Sequence, residues 1–255
     1  MRSFLVIGIG TGNPEHVTVQ AINTLNRADL VLLPLKGDEK MELAELRRDI
    51  CRRYLTNAGT RVVEFELPVR DQANTSYRAG VDDWHQAIAD RYDSLLAEHA
   101  GTDASIALLV WGDPSLYDST LRILTRLREI SPNDFRIEIV PGITSIQALA
   151  AGHAMALNTI GGAVQVTTGR RLATEGFPEN AETLVVMLDG GMAFEALDGN
   201  TFDIWWGAYL GAPDEMVIAG RLSEVAGSIA RARAEARQAK GWIMDTYMLR
   251  RAGKR

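Results

Sequence analysis

The chain has 255 residues, 46% hydrophobic and 24% charged, enough for one large core or two smaller ones and too apolar for a disordered protein. A net charge of -6 and a pI near 5.3 leave no electrostatic footprint for nucleic acid, so the expectation is small-molecule chemistry with no nucleic-acid partner. The single cysteine, Cys51, excludes an intrachain disulfide and a cysteine metal site, and its setting in RRDICRR reads as a solvated or half-buried helical position.

In chain order, Phe4-Leu5-Val6-Ile7, Leu30-Val31-Leu32-Leu33, Val62 to Phe65, Ile106 to Val110 and Ile137 to Val140 read as strands, several apolar on both faces as parallel strands under helices are. Helical periodicity fits about 15–28, 39–55, 76–99 and 115–130 between them. Further on, Ala163 to Thr167, Thr183 to Met187, Trp205 to Tyr209 and Glu215 to Ile218 read as strands, with one clear helix over 223–239. Fewer helices there suit a mixed sheet. The expected architecture is α/β in two domains, 1–114 with a mainly parallel sheet and 115–255 with a mixed one. No apolar stretch is long enough to span a bilayer, and Phe4 to Ile9 is too short for a signal peptide. The expectation is a cytoplasmic chain with no membrane partner.

Three loops carry the functional signal. VIGIGTGNPEHVT sets Gly8, Gly10 and Gly12 between a strand and a helix, but a dinucleotide fingerprint requires glycine where Asn13 stands and an acid after the second strand, where Pro-Leu-Lys follows Leu33. In WGDPSLYD, Pro114 pushes Asp113 toward extended backbone and suits a first helical turn, so the chain leaves the sheet in a bent loop. That loop is either a plain capped turn or a main-chain cradle at the carboxyl end of a strand, where open α/β sheets bind ligands. VPGITS repeats the device after the next strand, with Thr144 and Ser145 opening a helix. The four histidines, His16, His85, His99 and His153, have no metal-ligand spacing, and no metal is expected.

Five segments in order, VIGIGTGNPEHVT, WGDPSLY, VPGITS, TLVVMLDG and WWGAYLGAPDEMVIAGRL, resemble the tetrapyrrole methylase family over nearly the whole chain. The resemblance implies a homodimer that moves a methyl group from S-adenosylmethionine to carbon on a uroporphyrinogen-derived macrocycle, leaving S-adenosylhomocysteine, with the cofactor cleft between the two domains. GDEKMELAELRRDICRRYL, VWGDPSLYDSTL and NTIGGAVQVTTGRRLA look most like the branch of cobalamin biosynthesis that methylates C-1 of precorrin-5 and releases an acetyl group as acetate.

By the same resemblance, Gly112, Asp113 and Leu116 face the methionine and sulfonium part of the cofactor with Thr144 and Ser145 beside them. Leu188 and the turn Leu210-Gly211 bracket adenine and ribose, and the loop carrying Thr11 lines the floor of the trough. Thr11 stands where relatives commonly have proline and Asn13 where they have aspartate. The carboxylate-rich substrate calls for cations, and Arg170 and Arg171 lead, with Lys36, Arg70 and Arg78 in the first domain. Methyl transfer needs alignment and exclusion of water more than a reactive side chain. Deacetylation needs a base or polarised water, for which Asp38, Glu39, Asp71, His85 and Tyr117 are candidates. Two other readings stay open: a family member acting on a different carbon or on another substrate, and a nucleotide-binding module without chemistry.

Overall fold

Alternation along the first strand sets the architecture of the first unit, Met1–Thr144. In β1 (Arg2–Gly8), Phe4 and Val6 bury on one face of the sheet and Leu5 and Ile7 on the other, so helices must cover both. With β2 (Leu30–Leu35), β3 (Arg61–Glu66), β4 (Ser105–Val110) and β5 (Phe135–Val140) it forms a parallel sheet in the order β3-β2-β4-β1-β5. α3 (Tyr77–His99) and α4 (Thr120–Ile130) seal one face through Ile88, Tyr92, Leu95, Ile123 and Leu127. α1 (Val19–Leu25) and α2 (Met41–Tyr54) seal the other through Ala21, Leu25, Ile50 and Cys51. The computed structural model describes residues 1–35, 41–69 and 77–253, without the side chains of 41–43 and 77–78.

The second unit, Ser145–Arg255, holds β6 (Val164–Thr168), β7 (Thr183–Met187), β8 (Phe202–Ala208), β9 (Met216–Arg221) and β10 (Asp245–Arg251). Their order is β6-β7-β10-β8-β9, with only β6 and β7 parallel. α5 (Ser145–Gly152), α6 (Gly169–Glu175) and α7 (Leu222–Lys240) complete it, and its core gathers Leu172, Phe194, Trp206, Ile229 and Tyr247.

The α/β class and the contrast between a parallel and a mixed sheet are as the sequence implies. The division is not: it falls at Thr144/Ser145 rather than after 114, because β5 pairs with β1 from Arg2↔Phe135 to Ile7↔Val140 and so belongs to the first sheet. The expected helix over 15–28 is a short 3-10 turn (Pro14–His16) and then α1, whose N-cap Thr18 accepts from Ala21 N–H. The helix expected from 115 starts at Thr120. Cys51 is fully in the core, and burial pushes its thiol up to about 11, an inert position rather than a solvated one.

Candidate functional site

In the first unit the carboxyl ends of β4, β1 and β5 lie side by side, with Gly8 opposite Val110 and Ile7 opposite Val140. Three glycines, Gly8 on that line and Gly112 and Gly142 just past it, lock the loops together. A Cβ on Gly142 would stand 2.1 Å from the Gly112 carbonyl oxygen, and one on Gly8 would stand 2.6 Å from the Gly142 nitrogen. Gly10 and Gly112 pair as an isolated bridge, and Gly112 takes a left-handed φ of 61°. The Asp113 carboxylate closes the arrangement: Oδ2 accepts from Gly142 N–H at 2.8 Å, and Oδ1 accepts from Ser115 N–H at 2.8 Å and from the Ser115 hydroxyl. Burial raises this carboxyl, but the Ser115 and Gly142 hydrogen bonds outweigh it and hold it below the usual range. Both Asp113 oxygens are thus committed to loop geometry, and the loop offers its main chain.

The other expected residues of this unit sit around the same strand ends. Thr11 follows Gly10, and its buried hydroxyl has no partner among the described residues. Asn13 caps the 3-10 turn by accepting from Glu15 N–H at 2.9 Å, a structural task. Leu116 closes the Asp-Pro-Ser-Leu turn with its N–H on the Asp113 carbonyl, and Thr144 is buried with its Cα in van der Waals reach of a Cβ at Gly112.

In the second unit, register brings Thr168, Met187, Thr246 and Gly207 into one row at one edge of the sheet. Ser145 joins that edge, its hydroxyl oxygen accepting from Thr246 Oγ1–H at 3.0 Å. Leu188, next after Met187, has φ 54° and is 66% exposed, a strained apolar side chain displayed at the strand end. Leu210 is buried against Gly207, and Gly211, at φ 83°, donates its N–H to Glu215. Arg170 and Arg171 occupy the first turn of α6, at the same edge, and Arg171 holds Glu175 with two hydrogen bonds of 2.9 and 2.8 Å.

Of the candidates for acid-base work, His85 and Tyr117 fall among the described residues. Lys36, Asp38, Glu39, Arg70 and Asp71 lie outside the described residues, as does the side chain of Arg78. His85 is 4% exposed, and burial, with the charges of Arg126 and Arg122 outweighing those of Asp82 and Asp118, lowers its pKa. Tyr117 is 44% exposed at φ 51°. Neither lines a cavity of about 230 Å³ that lies among α2, α3, α4 and the ends of β2 and β4.

Sequence reading missed the polar groups of that cavity, Arg47, Tyr92 and Asp118, since each falls on a stretch whose pattern announces only a helix or turn. It also missed β10 and the buried network that β10 carries. Asp189 Oδ2 accepts from Tyr247 O–H at 2.6 Å and Ala193 N–H at 2.7 Å, while Arg233 donates to the Asp189 carbonyl at 2.7 Å. Arg233 also lies 3.4 Å from Asp245, which accepts from Trp206 Nε1–H at 2.8 Å. Burial raises the Asp245 carboxyl against the pull of Arg233. This network fixes the turn that begins at Leu188.

Among the described residues no cluster of three His, Cys, Asp or Glu side chains could hold a metal, and no helix is long and apolar enough to cross a membrane. A family model for tetrapyrrole (corrin/porphyrin) methylases matches residues 3–226. The chain is 54% identical over 251 residues to precorrin-6A synthase (deacetylating) of Sinorhizobium sp, covering 98% of this chain and 96% of that protein. A solved cobalamin synthesis related protein from Corynebacterium diphtheriae is similar at 37% identity and a TM-score of 0.83, covering 98% of each chain. Uroporphyrin-III C-methyl transferase from Thermus thermophilus, complexed with S-adenyl homocysteine, shares the fold at 22% identity and a TM-score of 0.56, covering 98% of this chain and 92% of that one.

Proposed function

We propose that this chain, which belongs to the tetrapyrrole (corrin/porphyrin) methylase family, transfers a methyl group from S-adenosylmethionine to C-1 of precorrin-5 and releases the substrate's acetyl group as acetate. The observation that carries the reading is the 54% identity to a precorrin-6A synthase (deacetylating) over 98% of this chain and 96% of that one. The reading includes S-adenosylhomocysteine as product, a homodimer in the cytoplasm, no metal and no nucleic-acid partner.

The residues present fit the methyl donor. Gly8 and Gly142 have no room for a Cβ and Gly112 takes a left-handed φ of 61°, so the three loops close on one another with bare main chain at the strand ends, a surface that suits a ligand held by backbone donors and acceptors. The orphaned Thr11 hydroxyl adds a buried polar group in want of a partner. In the first unit Gly112, Asp113, Leu116 and Thr144 would hold the methionine end, with Asp113 acting through the loop it fixes. In the second unit Ser145, Leu188, Leu210 and Gly211 would hold adenine and ribose, Leu188 by its side chain and Leu210 by main chain. Arg170 and Arg171 would meet carboxylates of the macrocycle. The donor supplies an electrophilic methyl on a sulfonium; the protein's share is to align carbon and methyl and to exclude water.

The test is incubation of the purified protein with precorrin-5 and methyl-labelled S-adenosylmethionine, followed by mass analysis and an acetate assay. One label and one acetate per turnover are expected. Label without acetate would instead favour methylation at another carbon. Calorimetric titration should show binding of S-adenosylmethionine and none of NAD or ATP.

A further inference from the structure

The cavity of the first unit is apolar over most of its wall, through Leu32, Leu67, Ile88, Leu108 and Ile123. Its polar groups are few and of mixed kind. Arg47 is anchored by Nε–H to the Leu109 carbonyl at 3.0 Å, and although burial draws its pKa down to about 10, it stays a cation at neutral pH. Its guanidinium lies 5.9 Å from the centre of the Trp111 ring. The Trp111 indole N–H is buried and has no partner among the described residues, an uncommon state for a donor. The Tyr92 ring is buried in the same wall, and Asp118 completes it, one carboxylate oxygen accepting from Thr120 N–H at 2.7 Å.

An orphaned N–H and a cation in an apolar space suit the carbonyl oxygen of a small acyl group, and a carboxylate in the same wall, near enough to feel the Arg47 charge, suits a water. Place matters as much as kind. Trp111 and Asp118 are the two residues flanking Gly112 to Tyr117, the loop expected to hold the methyl donor, and the carbon that loses an acetyl group and gains a methyl must reach both.

We propose that this cavity receives the acetyl group of the substrate, with the Trp111 N–H and Arg47 at its carbonyl oxygen and Asp118 holding the water that attacks it. The proposal rests on the deacetylating reading above. Water oxygen bonds to the carbonyl carbon while a proton passes to Asp118, and negative charge grows on the oxygen facing Trp111 and Arg47. The bond from carbonyl carbon to ring carbon then breaks, acetic acid leaves, and the pair remains on the ring carbon. That pair would bond the methyl carbon of the donor as its carbon–sulfur bond breaks, the sulfur keeping the bonding pair and departing as a thioether. Acetic acid yields its proton to solvent as acetate, and Asp118 yields the other.

Two measurements test this on the full chain. In single turnovers, Trp111→Phe, which keeps a ring and removes the N–H, and Asp118→Asn should each slow acetate release about 100-fold or more, with S-adenosylmethionine affinity within about twofold of wild type. In wild-type protein labelled with nitrogen-15 in tryptophan, sodium acetate should shift one of the five indole N–H resonances saturably, and sodium chloride at equal ionic strength should not. If wild type releases no acetate from precorrin-5, the functional reading fails. If wild type releases it and either variant that binds the donor normally releases it at the wild-type rate, the acyl pocket is wrong. An unsaturable or absent indole shift overturns the pocket even where a variant does not fold.

Discussion

Asp113 accepts a hydrogen bond from Gly142 N–H at 2.8 Å, so a side chain in the loop after β4 fixes the loop after β5. Its lowered carboxyl pKa gives the bond a pH signature. A carboxyl held below its unfolded value contributes stability above the unfolded pKa and loses it as pH falls through the folded one. Asp113→Asn should therefore unfold about 1–3 kcal/mol more easily near neutrality, with a flatter dependence on pH in the acid range. Denaturant titrations between pH 3 and 7 check this; an unchanged acid limb would mean that the carboxylate holds nothing.

Gly142→Ala tests the crowding at the same place. The new methyl would stand 2.1 Å from the Gly112 carbonyl oxygen and 2.8 Å from the Gly8 Cα, both backbone atoms with no rotamer to yield. Either the loops separate or the unit does not fold. The expected result is a loss of S-adenosylmethionine binding of at least tenfold in calorimetry, or insoluble protein. Wild-type affinity in a soluble variant would show that the loops are looser than their spacing implies.

The parallel sheet was legible because its strands are apolar on both faces, as Phe4 to Ile7 are, and the bent loops after β4 and β5 because Gly112 and Gly142 stand within two residues of prolines at strand ends. β10 was not. DTYMLRR ends in two arginines, a pattern that does not announce a buried strand, yet Arg250 is buried, donating from Nε to Thr183 Oγ1 and from Nη2 to the Leu157 carbonyl. Periodicity cannot show that a cation will find carbonyls within a fold. The same holds for Leu188, whose positive φ follows from the turn that Asp189 fixes, and for Arg47, whose helix reads as a solvated charged face.

Arg233 and Asp245 offer a test of that hidden network. Their side chains are 4% and 5% exposed, and truncating one leaves the other charged and unpaired. Arg233→Met should cost about 3–5 kcal/mol in denaturant unfolding, and adding Asp245→Asn should recover part of it. Because Arg233 also donates to the Asp189 carbonyl, the single variant should weaken S-adenosylmethionine binding through the Leu188 turn. Additive losses in the double variant would mean the two residues act separately.

Arg170 and Arg171 stand in different positions despite being neighbours. Arg171 is tied to Glu175, holding that carboxyl below its usual range, and the pair is exposed, so it contributes little to the fold. Reversing Arg171 would set two glutamates one helical turn apart, so Arg171→Met is the cleaner variant. Arg170→Glu should raise KM for the tetrapyrrole about tenfold or more, since it replaces an attraction for carboxylates with a repulsion, while leaving the S-adenosylmethionine Kd within about twofold. Arg171→Met should raise KM less, because it removes a charge rather than reversing one. Steady-state kinetics with calorimetry separates these terms. Equal losses of substrate and donor affinity in Arg170→Glu would mean that α6 has been disrupted, and an unchanged KM in both variants would mean that the macrocycle's carboxylates are met elsewhere.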